Sequence, residues 1–500
     1  MLVRPDRQDI VIIANLTGLV LIGLGLVMLV PAGLALVWGE HNEAAAFVIA
    51  ACLAALPGLL VQLRARPRDT PRWDHGMIVT ALSWLAAPFF GAIPLFLSGH
   101  YGGFLDAYFD AMSGFATAGL AVINDLDHLA RSVNLWRHIT HFMGGQGLIL
   151  VMLSLFPTHQ GATGMYVGEG REDKILPNVV RTVRFIWQVS LTWLVAGSLT
   201  LWAAMLHAGM PAGDGLFHAV NLFMAAFDTG GFAPTSAAIG LYHSPVVEAV
   251  LSVLMIAGCV SFAMHYHLWR RRWSELTRNT EMRWLVLSVM ALFALTAIGL
   301  ITTGAYASVD GLLRRGLFHV ISAHTGTGFN SIPGRLFVTQ WGTMAPAALV
   351  LAMAFGGMAG STSGGIKLIR LAVTAKSLRQ TVRTSMLPPD AVSLEFVHLG
   401  QRKVLREPAV RSAFMILLLY VALYAAGAIA GLFYGYPFAE AMFESTSAAA
   451  AVGLSVGITG PDMEPGLEIV YILQMWIGRL EFIAALSLIG FAWSTLRGRT

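Results

Sequence analysis

The chain has 500 residues, of which 56% are hydrophobic and only 12% are charged, with a formal net charge of +4. Soluble proteins carry about 25% charged residues, so this composition excludes an ordinary soluble domain and indicates a polytopic membrane protein whose main partner is the lipid bilayer. The small net charge gives no reason to expect a nucleic-acid partner, and Cys52 and Cys259 both lie in apolar runs, which argues against a disulfide framework.

Ten apolar runs are long enough to cross a bilayer, which takes about 20 residues. Two come first, and the other eight form four pairs. The first run is too long for a signal-peptide core of about 7–15 residues and is predicted to stay as a membrane helix. In chain order the predicted spans are 10–38, 43–64, 75–98, 134–157, 180–208, 243–268, 281–304, 342–378, 409–435 and 467–496.

A shorter apolar stretch lies between the two members of each pair. Stretches of about 10–15 residues cannot cross the bilayer, so they are predicted to be half-helices that enter and leave on one side. They cover 103–116, 214–228, 312–325 and 438–450. Each runs into a glycine beside a large apolar residue, namely Gly119, Gly231, Gly328 and Gly453. Four such repeats in one chain can surround a single pore, as four subunits do in a tetrameric ion channel.

The predicted fold is therefore an all-α polytopic membrane protein with about ten spanning helices. Four helix–half-helix–helix repeats surround one central pore, and two extra helices precede them. The second helix of repeat 3 is expected to be broken because it is rich in glycine. The expected boundaries are 1–70 for the two extra helices, 71–160 for repeat 1, 161–280 for repeat 2, 281–406 for repeat 3 and 407–500 for repeat 4.

The charged residues predict an orientation. Basic residues cluster in the loops without half-helices, for example at Arg64 and in the run 270–272. Because positive residues favour the cytoplasm, both termini are predicted to be cytoplasmic and the half-helices to lie on the outer side. The outer segments are acidic, and an acidic mouth would concentrate cations. The candidate mouth residues are Asp110, Asp228 and Glu444, the first and last of which lie nine residues before their glycines in repeats expected to be opposite.

The four glycines suit a site for a desolvated alkali cation. Backbone carbonyls can replace its hydration shell when an extended segment turns them inward, and glycine allows the dihedral angles that this requires. The partly negative C-terminal ends of the half-helices also favour a cation. A lone glycine in a membrane helix is ordinarily a packing device, but four in register predict a filter. Its candidate residues are Ala118, Gly119, Gly230, Gly231, Thr327, Gly328, Val452 and Gly453.

Two features within later helices suggest a gate. The stretch 356–367 is rich in glycine, which would unwind the helix at mid-membrane depth and allow a movable loop beneath the filter. The alternative is close helix packing through small residues. Arg479 lies within an apolar helix, where a charge is costly unless it faces water or a partner. The candidate gate residues are Gly356, Gly357, Gly360, Gly364, Gly365, Lys367 and Arg479.

Three charged residues near the gate carry further expectations. Glu481 is two residues from Arg479 and cannot face it on one helix, so it is expected to pair with another repeat. Lys367 and Arg370 are expected to mark the return of the chain to the cytoplasmic interface.

Two histidine pairs lie near the half-helices, His138 with His141 and His319 with His324. A metal site is one interpretation, but no further ligands cluster with either pair. Hydrogen bonding between helices is the preferred interpretation.

These motifs resemble those of the Trk/Ktr/HKT superfamily of potassium transporters, and the two extra helices match its Trk type. The resemblance covers about 75–496 and rests on Gly144-Gly145-Gln146-Gly147, on 356–367 and on Gly478-Arg479-Leu480-Glu481. It implies potassium uptake across the inner membrane of a bacterium, with no cofactor other than K+, a homodimer and a cytosolic nucleotide-binding regulatory subunit. It also implies that Arg479 projects into the pore. The implied K+ positions are Gly119, Gly231, Gly328 and Gly453.

The filter departs from the threonine-rich pattern of this superfamily. Alanines stand at 116, 118, 450 and 451, and Asp228 stands three residues before its glycine. The innermost site and the selectivity are therefore open, although Gly119 favours potassium because sodium-preferring plant members carry serine there. The alternative function is a sodium- or proton-coupled cation symporter with relaxed selectivity, and the sequence does not decide between passive and coupled transport.

Two other functional classes fit the sequence less well. A membrane-embedded enzyme would need a catalytic pair at depth, and no histidine-rich metal motif or aspartate pair presents itself, so no enzymatic activity is expected. A transporter of organic solutes would show inverted repeats, whereas these half-helices recur in one orientation. The chain also has no nucleotide-binding motif of its own.

Overall fold

The computed structural model describes residues 6–64, 67–155, 162–170, 179–388 and 393–497. The described chain is helical apart from one short β-hairpin, and the predicted all-α membrane fold is confirmed. The chain ends, 1–5 and 498–500, for which a cytoplasmic location was predicted, lie outside the described residues.

The two extra helices pack tightly against each other. They are α1, Arg7–Trp38, and α2, His41–Arg64, joined by a turn in which Gly39 has a φ of 78°. Their backbones approach closely at two glycines, because a Cβ built on Gly58 would lie 2.3 Å from the carbonyl oxygen of Gly18. Small residues at a helix crossing allow this approach in membranes.

Repeats 1 and 2 each contain a long helix, a half-helix and a second helix in two pieces. Repeat 1 comprises α3 Trp73–Leu97, α4 Phe104–Ala116, α5 Arg131–Gln146 and α6 Leu148–Leu155, and α7 Ala162–Gly168 follows it. Repeat 2 comprises α8 Val179–His207, α9 Ala212–Phe227, a 3₁₀ turn Ala238–Tyr242, α10 Pro245–Cys259, α11 Phe262–Trp269 and α12 Glu275–Arg278.

Repeats 3 and 4 follow the same plan. Repeat 3 comprises α13 Thr280–Thr302, α14 Val309–Gly311, a π-helical turn Leu312–Leu317, α15 Phe318–His324, α16 Leu336–Thr339, α17 Met344–Ala354 and α18 Leu368–Ser385. An antiparallel hairpin follows, formed by β1 Phe396–His398 and β2 Arg402–Val404. Repeat 4 comprises α19 Glu407–Phe433, α20 Phe438–Ala450, α21 Pro465–Arg479 and α22 Ile483–Leu496.

The second helix is interrupted in all four repeats, whereas the sequence predicted a break only in repeat 3. Among the described residues, six helices are long and apolar enough to span a membrane, or up to eight when each bent pair is one span. The pairs α10–α11 and α21–α22 bend by 100° and 112°. The prediction of continuous helices is therefore wrong for 134–157, 243–268 and 467–496.

The causes of these three breaks are local and do not lower the hydropathy of the sequence. Gly147 separates α5 from α6 with a φ of 97°. Val260 is extended, and the Ser261 side chain caps α11. Glu481 and Phe482 have φ values of 49° and 73°, which ends α21. An apolar run that continues through a bend has the periodicity of one helix, so the pattern could not reveal the bend.

The interior and the periphery are both apolar. One large cluster of buried apolar side chains contains helices α1 through α5, the helices of repeat 2 and part of repeat 4. A second cluster joins repeats 3 and 4. At the periphery α13 exposes Val286, Leu287, Met290 and Ile298. An apolar outer surface of this kind is expected where the surrounding solvent is lipid.

The contact between α1 and α2 can be tested by adding a side chain to it. We expect Gly58→Leu to reduce the free energy of unfolding by about 1–3 kcal/mol, because the new side chain collides with the backbone of α1. Gly33→Leu on α1 is the control, since no atom lies within 4 Å of a Cβ at that exposed position. Thermal denaturation of the purified protein in detergent measures both, and equal melting temperatures would contradict the assigned contact.

Candidate functional site

The four glycines that follow the half-helices share one backbone conformation. Their φ values are 72°, 81°, 84° and 103° for Gly119, Gly231, Gly328 and Gly453. The residue two positions earlier also has a positive φ in each repeat, namely Thr117, Thr229, Gly326 and Ala451. Three of these four are not glycine, and such residues rarely adopt the left-handed region. The same unusual conformation therefore occurs four times.

One hydrogen bond ends each half-helix in the same way. In each repeat the N–H of the residue before the glycine donates to the carbonyl five residues earlier. This is the six-to-one bond that closes a helix through a left-handed residue. The four bonds are Ala118 to Ser113 at 2.8 Å, Gly230 to Ala225 at 2.8 Å, Thr327 to Ser322 at 2.9 Å and Val452 to Ser447 at 2.9 Å.

The four glycine segments meet in cyclic order. A Cβ built on Gly119 would lie 2.3 Å from the carbonyl oxygen of Gly230 in repeat 2. The remaining three contacts continue from repeat to repeat, and the last returns to repeat 1. They join Gly231 to Thr327 O at 2.0 Å, Gly328 to Val452 O at 1.9 Å and Gly453 to Ala118 O at 2.5 Å.

We call the backbone oxygens of Ala118, Gly230, Thr327 and Val452 the carbonyl ring. No side chain fits at any of the four glycines without displacing an oxygen of this ring. Carbonyl oxygens grouped in this way are the ligands that replace the water shell of a monovalent cation. All eight residues predicted for the filter belong to these four contacts.

The cyclic order corrects the expected arrangement of the repeats. Repeat 4 contacts repeat 1, so Asp110 and Glu444 lie in neighbouring repeats and not in opposite ones. Both carboxyl groups, and that of Asp228, are completely buried. The interpretation of these three residues as an exposed acidic mouth is therefore wrong. Hydropathy could not distinguish them from exposed acids, because a single charged residue in a half-helix gives the same sequence signal whether it faces solvent or the protein interior.

The Glu444 carboxylate holds the chain just outside the fourth glycine. Its Oε1 accepts hydrogen bonds from the N–H groups of Val456 at 3.0 Å and Ile458 at 3.1 Å, and a bond from the Ser455 hydroxyl. Thr459 donates through both its N–H and its hydroxyl. The side chain therefore fixes the position of the segment that leaves the ring.

Repeat 3 uses a histidine at the position that corresponds to Glu444. His319 also lies nine residues before its glycine, and its Nε2 accepts from the N–H of Ser331 at 3.2 Å. In both repeats a side chain from the middle of the half-helix binds the chain three residues after the glycine. Sequence reasoning identified Glu444 but assigned it a different role.

Asp110 takes part in a buried ion pair behind the ring. It accepts from Arg137 Nε at 2.8 Å and from the Tyr101 hydroxyl at 2.9 Å. The Arg137 guanidinium lies 4.1 Å from the centre of the Phe232 ring, and Phe232 directly follows Gly231. The pair thus links repeat 1 to the glycine segment of repeat 2. Arg137 was missed from the sequence because nothing within its own helix indicates its partner.

Asp228 lies at the inner end of α9. It accepts from the Gln146 side chain at 2.7 Å, and Gln146 also accepts a bond from the Ser190 hydroxyl. A Cβ built on Gly145 would lie 2.4 Å from the Asp228 side chain. Asp228 is therefore a structural contact between the second half-helix and the Gly144–Gly147 segment of repeat 1.

One histidine of each pair, His141 and His324, forms a hydrogen bond to a neighbouring helix, as predicted. His141 Nδ1 lies 2.8 Å from the Gly114 carbonyl, and its Nε2 accepts from the N–H of Phe232 at 3.2 Å. His324 bonds the Ser288 hydroxyl of α13 at 2.7 Å. In the part of the chain that the structure describes, no group of three or more histidine, cysteine, aspartate or glutamate side chains has metal-site geometry.

The loops outside the ring connect neighbouring repeats. Asp127 of repeat 1 accepts hydrogen bonds from the N–H of Ser236 in repeat 2, at 2.8 Å, and from its hydroxyl. These two bonds lower the pKa of the Asp127 carboxyl below its usual value. Arg335 of repeat 3 pairs with Glu440 of repeat 4 at 2.7 Å.

The break between α17 and α18 lies against the inner ends of the half-helices. We call residues 355–367 the break segment. Its Met358 N–H donates to the Cys259 carbonyl at 3.0 Å, and the Thr362 hydroxyl donates to the Phe227 carbonyl at 3.0 Å. A Cβ built on Gly364 would lie 2.2 Å from the Ala450 carbonyl oxygen. The predicted unwinding of this helix is confirmed, and the segment contacts repeats 2 and 4.

Arg479 joins three repeats directly below the ring. Its Nη1 donates to the Thr117 hydroxyl at 3.0 Å and to the Thr362 carbonyl at 2.8 Å. Its Nη2 donates to the Gly144 carbonyl at 2.6 Å. These three oxygens accept hydrogen bonds from the guanidinium group, whose charge would be costly within an apolar helix if it had no partner.

Glu481 forms ion pairs with repeat 3, which confirms its expected pairing with another repeat. It pairs with Arg370 and lies 4.0 Å from Lys367, which donates to the Ser363 carbonyl of the break segment. Both basic residues are more than nine-tenths buried. Each therefore lies inside the protein beside a buried partner, and their expected position at the cytoplasmic interface stays a prediction.

Three glycines were not recognised as a set from the sequence. A Cβ on Gly144, Gly258 or Gly478 would lie 1.8, 2.0 or 1.9 Å from the carbonyl oxygen of Phe115, Phe227 or Ala449. Phe115, Phe227 and Ala449 each lie four positions before the glycine of their repeat, namely Gly119, Gly231 or Gly453. The absence of a side chain at these glycines lets the second helix touch the end of the half-helix. The sequence signal that could have revealed this contact is a glycine two or three residues before each break.

Long apolar helices around a central ring of backbone oxygens are the architecture of a membrane protein that conducts or carries cations. Residues 40–491 match the model of the TrkH family, described as cation transport protein. Because the match covers most of the chain, the chain belongs to this family.

Individual relatives agree with this assignment. An uncharacterised cation transporter of Methanocaldococcus jannaschii is 28% identical over 487 residues, 97% of this chain and 96% of its own length. The Trk system potassium uptake protein TrkH of Halomonas elongata is 30% identical over 390 residues, with 76% and 77% covered. The Escherichia coli protein of the same description is 25% identical over 488 residues, with 95% and 97% covered.

The fold also matches a solved structure. The crystal structure of the potassium transporter TrkH from Vibrio parahaemolyticus has a TM-score of 0.81 to this chain at 22% identity. The match covers 96% of this chain and 98% of the other.

The role of Glu444 can be tested by stability. We expect Glu444→Ala to lower the free energy of unfolding by several kcal/mol, since each buried N–H left without an acceptor costs about 1–3 kcal/mol. Glu444→Gln keeps one carbonyl oxygen and should lie between the parent and the alanine variant. Thermal denaturation measures the order, with Glu464→Ala, an exposed carboxylate nearby, as the control. A Glu444→Ala variant as stable as the control would contradict the role.

Proposed function

We propose that the chain takes up potassium ions through the carbonyl ring. The observation that carries the proposal is the closed cyclic contact of four glycine segments, each of which brings a carbonyl oxygen to the same small region. The printed descriptions of its relatives as potassium uptake proteins support this choice of ion. Potassium is the transported substrate and is the only ligand required.

The ring acts by replacing water. A cation that enters a narrow pore loses its hydration shell, and the carbonyl oxygens of Ala118, Gly230, Thr327 and Val452 take the place of that water. The half-helices direct their partly negative C-terminal ends toward the same region, which favours positive charge. Backbone oxygens supply this cage, so the alanines at 116, 118, 450 and 451 do not remove it.

The break segment and Arg479 form the gate of this proposal. The segment lies beneath the half-helices, and Arg479 lies beneath Thr117 and binds the segment at Thr362. A positive charge just inside the ring opposes the passage of a cation. Movement of the segment would break the bond to Thr362, one of the three that hold the arginine in the path.

The cellular arrangement is part of the same proposal. The protein lies in the inner membrane of a bacterium with its termini in the cytoplasm, acts as a homodimer, and is regulated by a cytosolic nucleotide-binding subunit. The basic loops, for example at 270–272, support this orientation through the preference of positive residues for the cytoplasm.

The ring is tested with Gly119→Ser. We expect weaker discrimination of potassium over sodium, because the added side chain would lie 2.3 Å from the Gly230 oxygen and displace it. Flux of potassium, rubidium, sodium and lithium into vesicles containing the purified protein measures the change. Gly103→Ser is the control, since a Cβ there meets nothing within 4 Å. Parental selectivity in the Gly119→Ser variant would reject the ring as the filter.

The gate is tested with two changes and their combination. Deletion of Ala359 to Ser361 and the substitution Arg479→Ala should each raise potassium flux several-fold without a partner subunit, because each relieves a constriction below the ring. Their combined effect should be less than additive, since they act on one barrier. Arg497→Ala, at the exposed end of α22, is the control. Low flux in both variants at normal membrane levels would show that these residues only hold helices together.

A further inference from the structure

A basic cleft lies beside repeat 3, on the side predicted to be cytoplasmic. It has about 540 Å³ of empty space and is open to solvent. Its walls come from the α12–α13 corner, from α18 and from the β-hairpin. The side chains that matter for its chemistry are Arg278, Arg283, Lys376, Phe396, His398 and Arg402.

Four of these side chains are cations, and none forms an ion pair within the part of the chain that the structure describes. Arg283 donates to the Thr277 carbonyl, Lys376 donates to the Phe396 carbonyl, and Arg402 lies 3.8 Å from the centre of the Phe396 ring. Glu275 lies 3.0 Å from His398, which also lines the cleft. Three separate elements therefore bring four cations to one opening, and this carboxylate pairs with the histidine and with none of the four.

We propose that this cleft binds a phosphate-bearing anion. Guanidinium groups present two parallel N–H donors that match phosphate oxygens, and lysine adds a point charge. The cleft is open to solvent, so a diphosphate or a lipid headgroup can reach these side chains. Both a free phosphate compound and an anionic phospholipid have this chemistry, and the membrane surface is near in the predicted orientation.

The cleft connects to the break segment through short covalent and hydrogen-bonded paths. The hydroxyl of Thr280 accepts from the His398 N–H at 2.9 Å, and the next residue, Glu281, accepts from the Ala359 N–H at 2.8 Å. On the other side α18, which carries Lys376, begins directly after the break segment. An anion held between α13, α18 and the hairpin ties together the two elements that hold the segment.

This coupling predicts that the bound anion lowers ion flux, because it restrains the break segment in its present position. The effect on flux rests on the proposed function, whereas the binding site does not. Binding and flux are therefore measured separately, so that a protein that binds the anion but carries no potassium would reject the proposed function alone.

Binding is measured by calorimetry on the full-length protein in detergent, with inorganic pyrophosphate and with short-chain phosphatidylglycerol as separate probes. The double variant Arg278→Gln with Arg402→Gln should bind the preferred probe at least about tenfold more weakly, because it loses two charge-assisted contacts. The control is Arg272→Gln with Arg411→Gln, which removes the same charge from exposed positions outside the cleft. The control should bind as the parent does.

The pattern of binding distinguishes the source of the phosphate. Cleft-dependent binding of pyrophosphate assigns a free phosphate compound, and cleft-dependent binding of phosphatidylglycerol alone assigns a lipid headgroup. Binding of neither probe, or equal loss in the cleft and control variants, overturns the site. Flux in phosphatidylcholine vesicles is then compared with and without the bound probe, and unchanged flux in a parent that does carry potassium overturns the coupling to the break segment.

Discussion

The close approach of four glycines to four carbonyl oxygens is the constraint on which the rest of the structure depends. Each contact leaves no space for a Cβ, so the four segments can meet only if every half-helix ends at the same depth and in the same conformation. The shared six-to-one hydrogen bonds impose this ending. The side chains behind the ring, which differ between repeats, then hold a backbone that is nearly the same in all four.

A second constraint follows from the first. Half-helices that end in the middle of a membrane leave carbonyl groups without helical partners, and hydrocarbon cannot supply them. The broken second helices place Gly144, Gly258 and Gly478 against these ends, and the break segment and Arg479 donate hydrogen bonds in the same region. The groups proposed to control the passage of ions are thus also those that make the irregular backbone stable. This explains why the half-buried Arg479 cation is tolerated within an apolar protein.

The sequence predicted the architecture because its signals are local and repeated. Long apolar runs, short apolar stretches and a glycine after each stretch can be recognised without knowledge of contacts. The same reasoning did not predict the bends at Gly147 and Phe482, because an apolar pattern is unchanged by a bend. It also failed to identify the partners of Asp110, Glu444 and Arg370, none of which lies in the same helix as the residue it binds. A charged side chain considered alone is expected to be exposed to solvent. It can be buried only when a partner in the fold compensates its charge.

The order of the contacts around the ring has a consequence for how the protein is made. The last contact joins Gly453 to Ala118, so the first segment to leave the ribosome meets one that is synthesised near the end. Until repeat 4 is inserted, the ring has a gap where its fourth oxygen belongs, and the first and third segments each lack a neighbour. Contacts this distant in the sequence form late and slowly. A chain truncated before repeat 4 would therefore have an open ring, and under the proposed function an incomplete product of translation would lack a finished pathway through which to dissipate ion gradients.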